Sequence, residues 1–224
     1  MATYDDLAEK QEELVRKPLD GSAFFAPLTA PTIDENFVGP GGVLAELPDE
    51  DWGDLGLLTP DGMGFSREVS NSDIMAFGRQ TPVRSDITND TTTLNIVALE
   101  TNLRTIGMAT GASITAASRN STTGALMIKK PPRPTPKQYR VFCMSVDNTE
   151  DGEIYICRYL PKAKVTGFSD QALGGTDNAI EWGTTLTSQF DKTLGFSEAW
   201  LFGGPGWNAL LERMGFDPLA LPAG

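Results

Sequence analysis

WGDLGLLTPDGMGFSREVSNSDIMAFGRQTPVRSDITNDTTTLNIVALETN (residues 52–102) decides the fold class. Its last third, residues 85–102, is dense in Thr, Ile, Val and Leu, side chains that suit a pleated, half-buried surface. Alternation puts Leu94, Ile96 and Ala98 on one face and Thr91, Thr93, Asn95 and Val97 on the other, which is the period of a strand. Upstream, Leu55, Leu57 and Leu58 read as a short apolar strand running into Pro60-Asp61-Gly62, turn chemistry with Pro early and Gly late. Between these parts, residues 66–78 alternate and then turn polar, with Asp73 placed to cap about one helical turn. The expected unit is strand, turn, strand, short helical connection, loop, long strand. It carries no catalytic motif.

Outward from it, the strongest hairpin pattern is QYRVFCMSV (138–146), DNTEDG (147–152) and EIYICRYLPKAKVTGF (153–168). Folding it about Glu150 sets Val146 opposite Ile154, Met144 opposite Ile156 and Cys143 opposite Cys157. Both faces are then largely apolar, as in strands buried between two layers. The cysteines are expected to be two buried free thiols, with a cross-strand disulfide left open as the alternative. Residues 179–191 read as a final strand with Ile180, Trp182 and Leu186. Residues 5–16 pattern as an N-terminal helix with a thin stripe of Leu7, Leu14 and Val15, ended by Pro18. Residues 21–33 look extended, and residues 34–51 read as a surface loop whose GPGG lacks the Lys-Ser/Thr of a phosphate loop. Residues 101–108 suit a short helix, 109–123 a loop or irregular strand, and 125–130 a strand. The latter meets KKPPRPTPK (129–137), an exposed polyproline-like loop or edge.

At 224 residues the chain fits one domain: an acidic N-terminal arm and loop (1–51), a β core (52–195) and a C-terminal tail (196–224). The net charge of −12 is unevenly spread: residues 1–61 carry −11, residues 62–168 carry +4 and residues 169–224 carry −5. Such a balance disfavours free nucleic-acid binding, which needs clustered positive charge. An acidic arm lying on the basic middle of a neighbouring subunit is one reading, solvated acidic loops the other. On the first reading Arg119, Lys129, Lys130, Arg133 and Lys137 are candidate interface residues. Trp200, Phe202 and Trp207, in an apolar tail where residues 208–214 suggest a short helix, are candidates too. They pack either on their own core or on a neighbour.

Zero histidines remove Ser-His and Cys-His nucleophiles, histidine metal sites and imidazole bases at once. Glu150, Asp151 and Glu153 cluster at a hairpin tip but lack calcium-loop spacing. The expectation is a protein that is not an enzyme and has no metal and no cofactor. No run approaches the roughly 18 apolar residues of a membrane span, and the acidic start lacks a secretory pattern.

An ordered set of short motifs carries a family resemblance. It comprises W-x-x-L-G (52–56), T-x-D-G (59–62), F-S-x-E-x-S-x-x-x-I-x-A-F-G (65–78), P-V-R-x-D-x-T (82–88) and T-L-x-x-x-A-L-E-T-N (93–102). GSAFFAPLTAPTI (21–33) and KVTGFSDQAL (164–173) extend it. The set resembles the major tail tube proteins of phages with long, non-contractile tails, most of all those infecting actinobacteria. The resemblance implies a β-sandwich or barrel with a short helix and extended terminal arms. It also implies hexameric rings that stack into a hollow tube in the virion, assembled in the host bacterial cytoplasm. Implied partners are other copies of the chain, a tape measure protein, and tail terminator and tip proteins. Double-stranded DNA passes the lumen without specific binding, and no membrane is involved. The competing classes are a monomeric β-sandwich module for a glycan or a protein, and another tail or decoration protein on the same fold.

Overall fold

A computed structural model of the chain describes residues 3–8, 10–112, 114–115, 118–129, 137–174 and 179–219. Eight strands are seen among them: β1 (Asp20–Pro27), β2 (Gly53–Asp54), β3 (Leu58–Ile74), β4 (Arg84–Ala98), β5 (Gln138–Thr149), β6 (Gly152–Phe168), β7 (Trp182–Ser188) and β8 (Ala199–Gly203). Three short helices join them: α1 (Tyr4–Leu7), α2 (Leu103–Thr110) and α3 (Pro205–Leu210). The fold is mainly β, as the alternation predicts. All strands belong to one antiparallel sheet in the order β2-β1-β5-β6-β7-β4-β3, with β8 branching from β6.

The branch arises because β6 is long. One edge pairs with β5, while the other pairs first with β8 through Tyr155 to Tyr159 and then with β7 from Ala163 onward. The sheet also curls. Ala23 and Phe25 of β1 share a buried cluster with Leu94 and Ile96 of β4, although three strands separate them in the sheet order. Val141, Leu160 and Leu186 complete that inner core. The outer face of β5 and β6 carries a second cluster: Phe142, Cys157 and Tyr159 lie under Ala30, Ile33 and Trp52. Trp52 is fixed there by its indole N–H, which donates to the Pro31 carbonyl at 3.1 Å. The central strand pair is thus covered on both faces, which is why its sequence is apolar at nearly every position.

Several local expectations are corrected. The β5–β6 loop is the two-residue Glu150-Asp151 turn between Thr149 and Gly152, so the register is shifted by one residue. Cys143 therefore faces Arg158, and Cys157 faces Met144. The thiols fall into different clusters, Cys143 inside and Cys157 outside, and both are free and buried. Asp73 caps no helix: it lies in β3 opposite Ser85. Pro60-Asp61-Gly62 does not end a strand but makes an excursion within β3, between the Leu58–Ala98 and Met63–Ile96 pairs. The helix predicted over residues 5–16 is broken into α1 and a 3₁₀ turn, Glu12–Leu14, with Leu7 and Val15 exposed. Residues 125–129 form no strand, and residue 130 lies outside the described set. The strand expected over 179–191 is β7, but β8 follows it, so it is not the last.

Helix α2 matches its prediction. The Asn102 side chain accepts from the Arg104 and Thr105 backbone N–H groups at 3.0 Å, and Thr105 Oγ1 accepts from the Asn102 N–H at 2.9 Å. This is a reciprocal cap with Thr in the place of Glu or Gln. Gly111, at φ 66°, ends the helix. Strands β1 and β8, drawn from segments read as arm and tail, are members of the sheet.

Candidate assembly surface

Strand β4 pairs with β7 only from Thr93 to Ala98, yet it pairs with β3 from Ala98 back to Arg84. Residues 66–74 and 84–92 thus leave the sheet as a two-stranded ribbon. Seven or eight residue steps at about 3.3 Å carry its tip about 25 Å from the base. The sequence explains its exposure. SREVSNSD and SDITNDTT alternate in β propensity, but neither face is apolar enough to bury, so only the cross-strand ladder and polar pairs hold it. Arg67 Nε donates to Asp90 Oδ1 at 2.7 Å and Thr88 Oγ1 donates to the Ser70 carbonyl at 3.1 Å. The Arg67 hydrogen bond holds the Asp90 carboxyl below its ordinary pKa, and Asp90 in turn raises that of Arg67.

At the tip, the Arg79 N–H donates to the Ala76 carbonyl at 3.1 Å and Gly78 has φ 78°. That is the geometry of a turn needing a left-handed third residue, and it places Phe77 at the outer corner. Phe77 is fully exposed, and Ile74, Met75, Val83 and Ile87 around it are more than half exposed. A two-stranded ribbon is marginal alone in water, and an exposed apolar tip makes this one a candidate association element.

The ribbon base is held by a polar cluster. The Glu198 carboxylate accepts from Arg158 Nε at 2.6 Å and from Thr92 Oγ1 at 2.6 Å. The Arg158 guanidinium lies over the Phe65 ring at 3.7 Å and over the Trp200 ring at 4.2 Å. Strands β3, β4, β6 and β8 therefore meet at one cation. From there a row of rings continues: Trp200 on Phe202 at 6.2 Å, Phe202 on Trp207 at 4.9 Å, and Trp207 near Phe216 at 5.9 Å. The row is not buried: Trp200 is 56% exposed and Phe202 39% exposed, so it presents aromatic surface to solvent.

The predicted basic residues do not gather at the ribbon. Arg119 and Lys129 are exposed in the segment between α2 and β5, while Lys130 and Arg133 lie outside the described residues. Lys137 is partly buried, its ammonium donates to the Ala112 carbonyl, and burial lowers its pKa. The ribbon itself goes unrecognised in sequence as one element. The available signal was that residues 66–74 and 84–92 both alternate with Thr, Val and Ile while remaining polar on two sides.

No family model and no curated protein matches the chain. Among solved structures, a chain in the virion of a native gene transfer agent particle is similar, with a TM-score of 0.34 and 8% identity, over 69% of this chain and 90% of that one. A similarity of this size assigns no role by itself.

Proposed function

We propose that the protein is a structural component of a virion, a tail tube protein whose copies form hexameric rings that stack into a hollow conduit for genomic DNA. The observation that carries this reading is the ribbon, a two-stranded extension about 25 Å long with an apolar, fully exposed tip. The motif resemblance in residues 52–102, which span the ribbon, adds the form of the assembly. In this reading the work is mechanical and calls for no catalytic group, metal or cofactor. Tape measure, terminator and tip proteins are its other partners. DNA slides through the lumen without specific contacts, consistent with a net charge of −12. The basic residues Arg119, Lys129, Lys130 and Arg133 receive acidic groups of adjacent copies, whereas Lys137 is engaged by the Ala112 carbonyl of its own chain, and the Trp200–Phe202–Trp207 row packs near a subunit boundary.

Sedimentation of the full chain beside a variant in which residues 67–91 are replaced by a tight turn tests this. The full chain is expected to sediment as multimers and the shortened variant as a monomer with the same core melting transition. Equal assembly of both would remove the observation on which the reading stands.

A further inference from the structure

We propose that the ribbon tip of one copy docks as a knob, Phe77 with Arg79 beside it, into an apolar pocket on the outer face of a second copy that carries the carboxylates of Asp34 and Glu46 in its lining. The inference rests on the reading that the chain self-assembles, and it names the contact.

The pocket lies under the connection between β1 and β2. It has a volume of about 240 Å³ and is lined chiefly by Phe24, Ile33, Phe37, Leu44, Leu47 and Phe142. An apolar cavity of about 150 Å³ already holds a benzene ring. A phenylalanine ring therefore fits, with room for part of a neighbouring tip residue such as Met75. Charge matches as well. Residues 32–51 carry six carboxylates and no basic side chain, and two of them, Asp34 and Glu46, line the pocket itself. Residues 74–84 carry two arginines and no acidic side chain. Arg84 is engaged with Asp86 at 2.6 Å, whereas Arg79 makes no side-chain bond among the described residues. An apolar knob with a free cation thus corresponds to an apolar pocket with an anionic rim.

Placement gives the consequence. The knob is at the β3–β4 end of the sheet order and the pocket lies beside β1 and β2 at the other. Phe77 is fully exposed, so the tip is not seated in the pocket of its own chain. A contact between two different surfaces is heterologous, and a docked pair keeps one unused knob on one copy and one unused pocket on the other. Such a contact propagates.

The test uses cysteine pairs in the full chain, since Cys143 and Cys157 are buried. The double variant Gln80→Cys with Ala45→Cys, which keeps the Phe77 knob and the Leu44 wall in place, assembled and treated with a short bismaleimide, is expected to give a covalent ladder beyond dimer. Each single variant is expected to stop at dimer or below. Sedimentation of the untreated double variant reports assembly separately. Assembly without a ladder overturns the knob-and-pocket contact while leaving self-assembly intact. Failure of the wild-type chain to assemble overturns the proposed function and this inference with it. Phe77→Asp adds a second arm: loss of assembly with an unchanged circular dichroism spectrum is expected, and assembly equal to wild type counts against the proposal.

Discussion

Replacing Glu198 by Ala should loosen the ribbon base. The carboxylate is shared between Arg158 and Thr92, and the Arg158 and Glu198 side chains are only 14% and 13% exposed. Removing it costs a charge-assisted hydrogen bond, about 1.5–3 kcal/mol, and leaves the Thr92 hydroxyl without its acceptor, about 0.5–1.5 kcal/mol more. Arg158 keeps its two aromatic neighbours, each worth about 0.5–1 kcal/mol or somewhat more where desolvated, which limits the damage. The net expectation is a loss of about 3 kcal/mol. For a chain of this size that corresponds to about 6–12 °C in Tm. Glu198→Gln keeps an acceptor for one partner and should cost about half as much. Urea unfolding followed by tryptophan fluorescence measures both, with an unchanged denaturant slope showing that the same transition is compared. A Glu198→Ala variant within about 0.5 kcal/mol of wild type would refute the reasoning, because an exposed ion pair is worth about that little.

Other expectations follow from separate features. Burial raises the Cys157 thiol from 9.0 to about 12 and pushes Cys143 up further, so neither should react with a thiol reagent at pH 8 until denaturant is added. Because these folded-state values are raised, their contribution to stability is whole below about pH 9 and falls as pH climbs toward 12; alkaline unfolding curves check the sign. A Cβ at Gly204, where φ is 112°, would sit 2.3 Å from the Glu153 carbonyl oxygen, so Gly204→Ala should destabilise by about 2 kcal/mol or more, read by thermal melting. Reversing Lys129 and Lys130 to Glu should lower tube yield in electron micrographs and leave the melting transition in place; unchanged yield would remove these residues from the interface.

What could be read in sequence followed the strength of local periodicity. Leu94, Ile96 and Ala98 are all within 1% of full burial, as their alternation predicts, because one face of β4 meets the core there. The short helix expected over residues 101–108 is α2, although its Asn102 cap and its Gly111 end stand out only in the structure. The β5–β6 register differs by one residue from the symmetric pairing expected about Glu150. Both faces of that pair are apolar, so hydrophobicity cannot choose between registers, and the two-residue turn decides. Asp73 lies in a ribbon rather than at a helix start: a polar Ser-Asn-Ser-Asp run suits a helix cap as well as an exposed ribbon, and only pairing with β4 separates them. Phe77 gave no signal, since exposure of a phenylalanine at a turn corner is a tertiary fact. Nor could spacing bring Phe65, Arg158 and Trp200 together, for they come from three strands distant in sequence.

Electron microscopy of the purified full-length chain, negatively stained across a concentration series at moderate salt, tests the central claim most directly. The account predicts hollow tubes or stacked rings with sixfold end views, growing in length with concentration. Single particles the size of one 24.1 kDa chain at every concentration up to the solubility limit would contradict it.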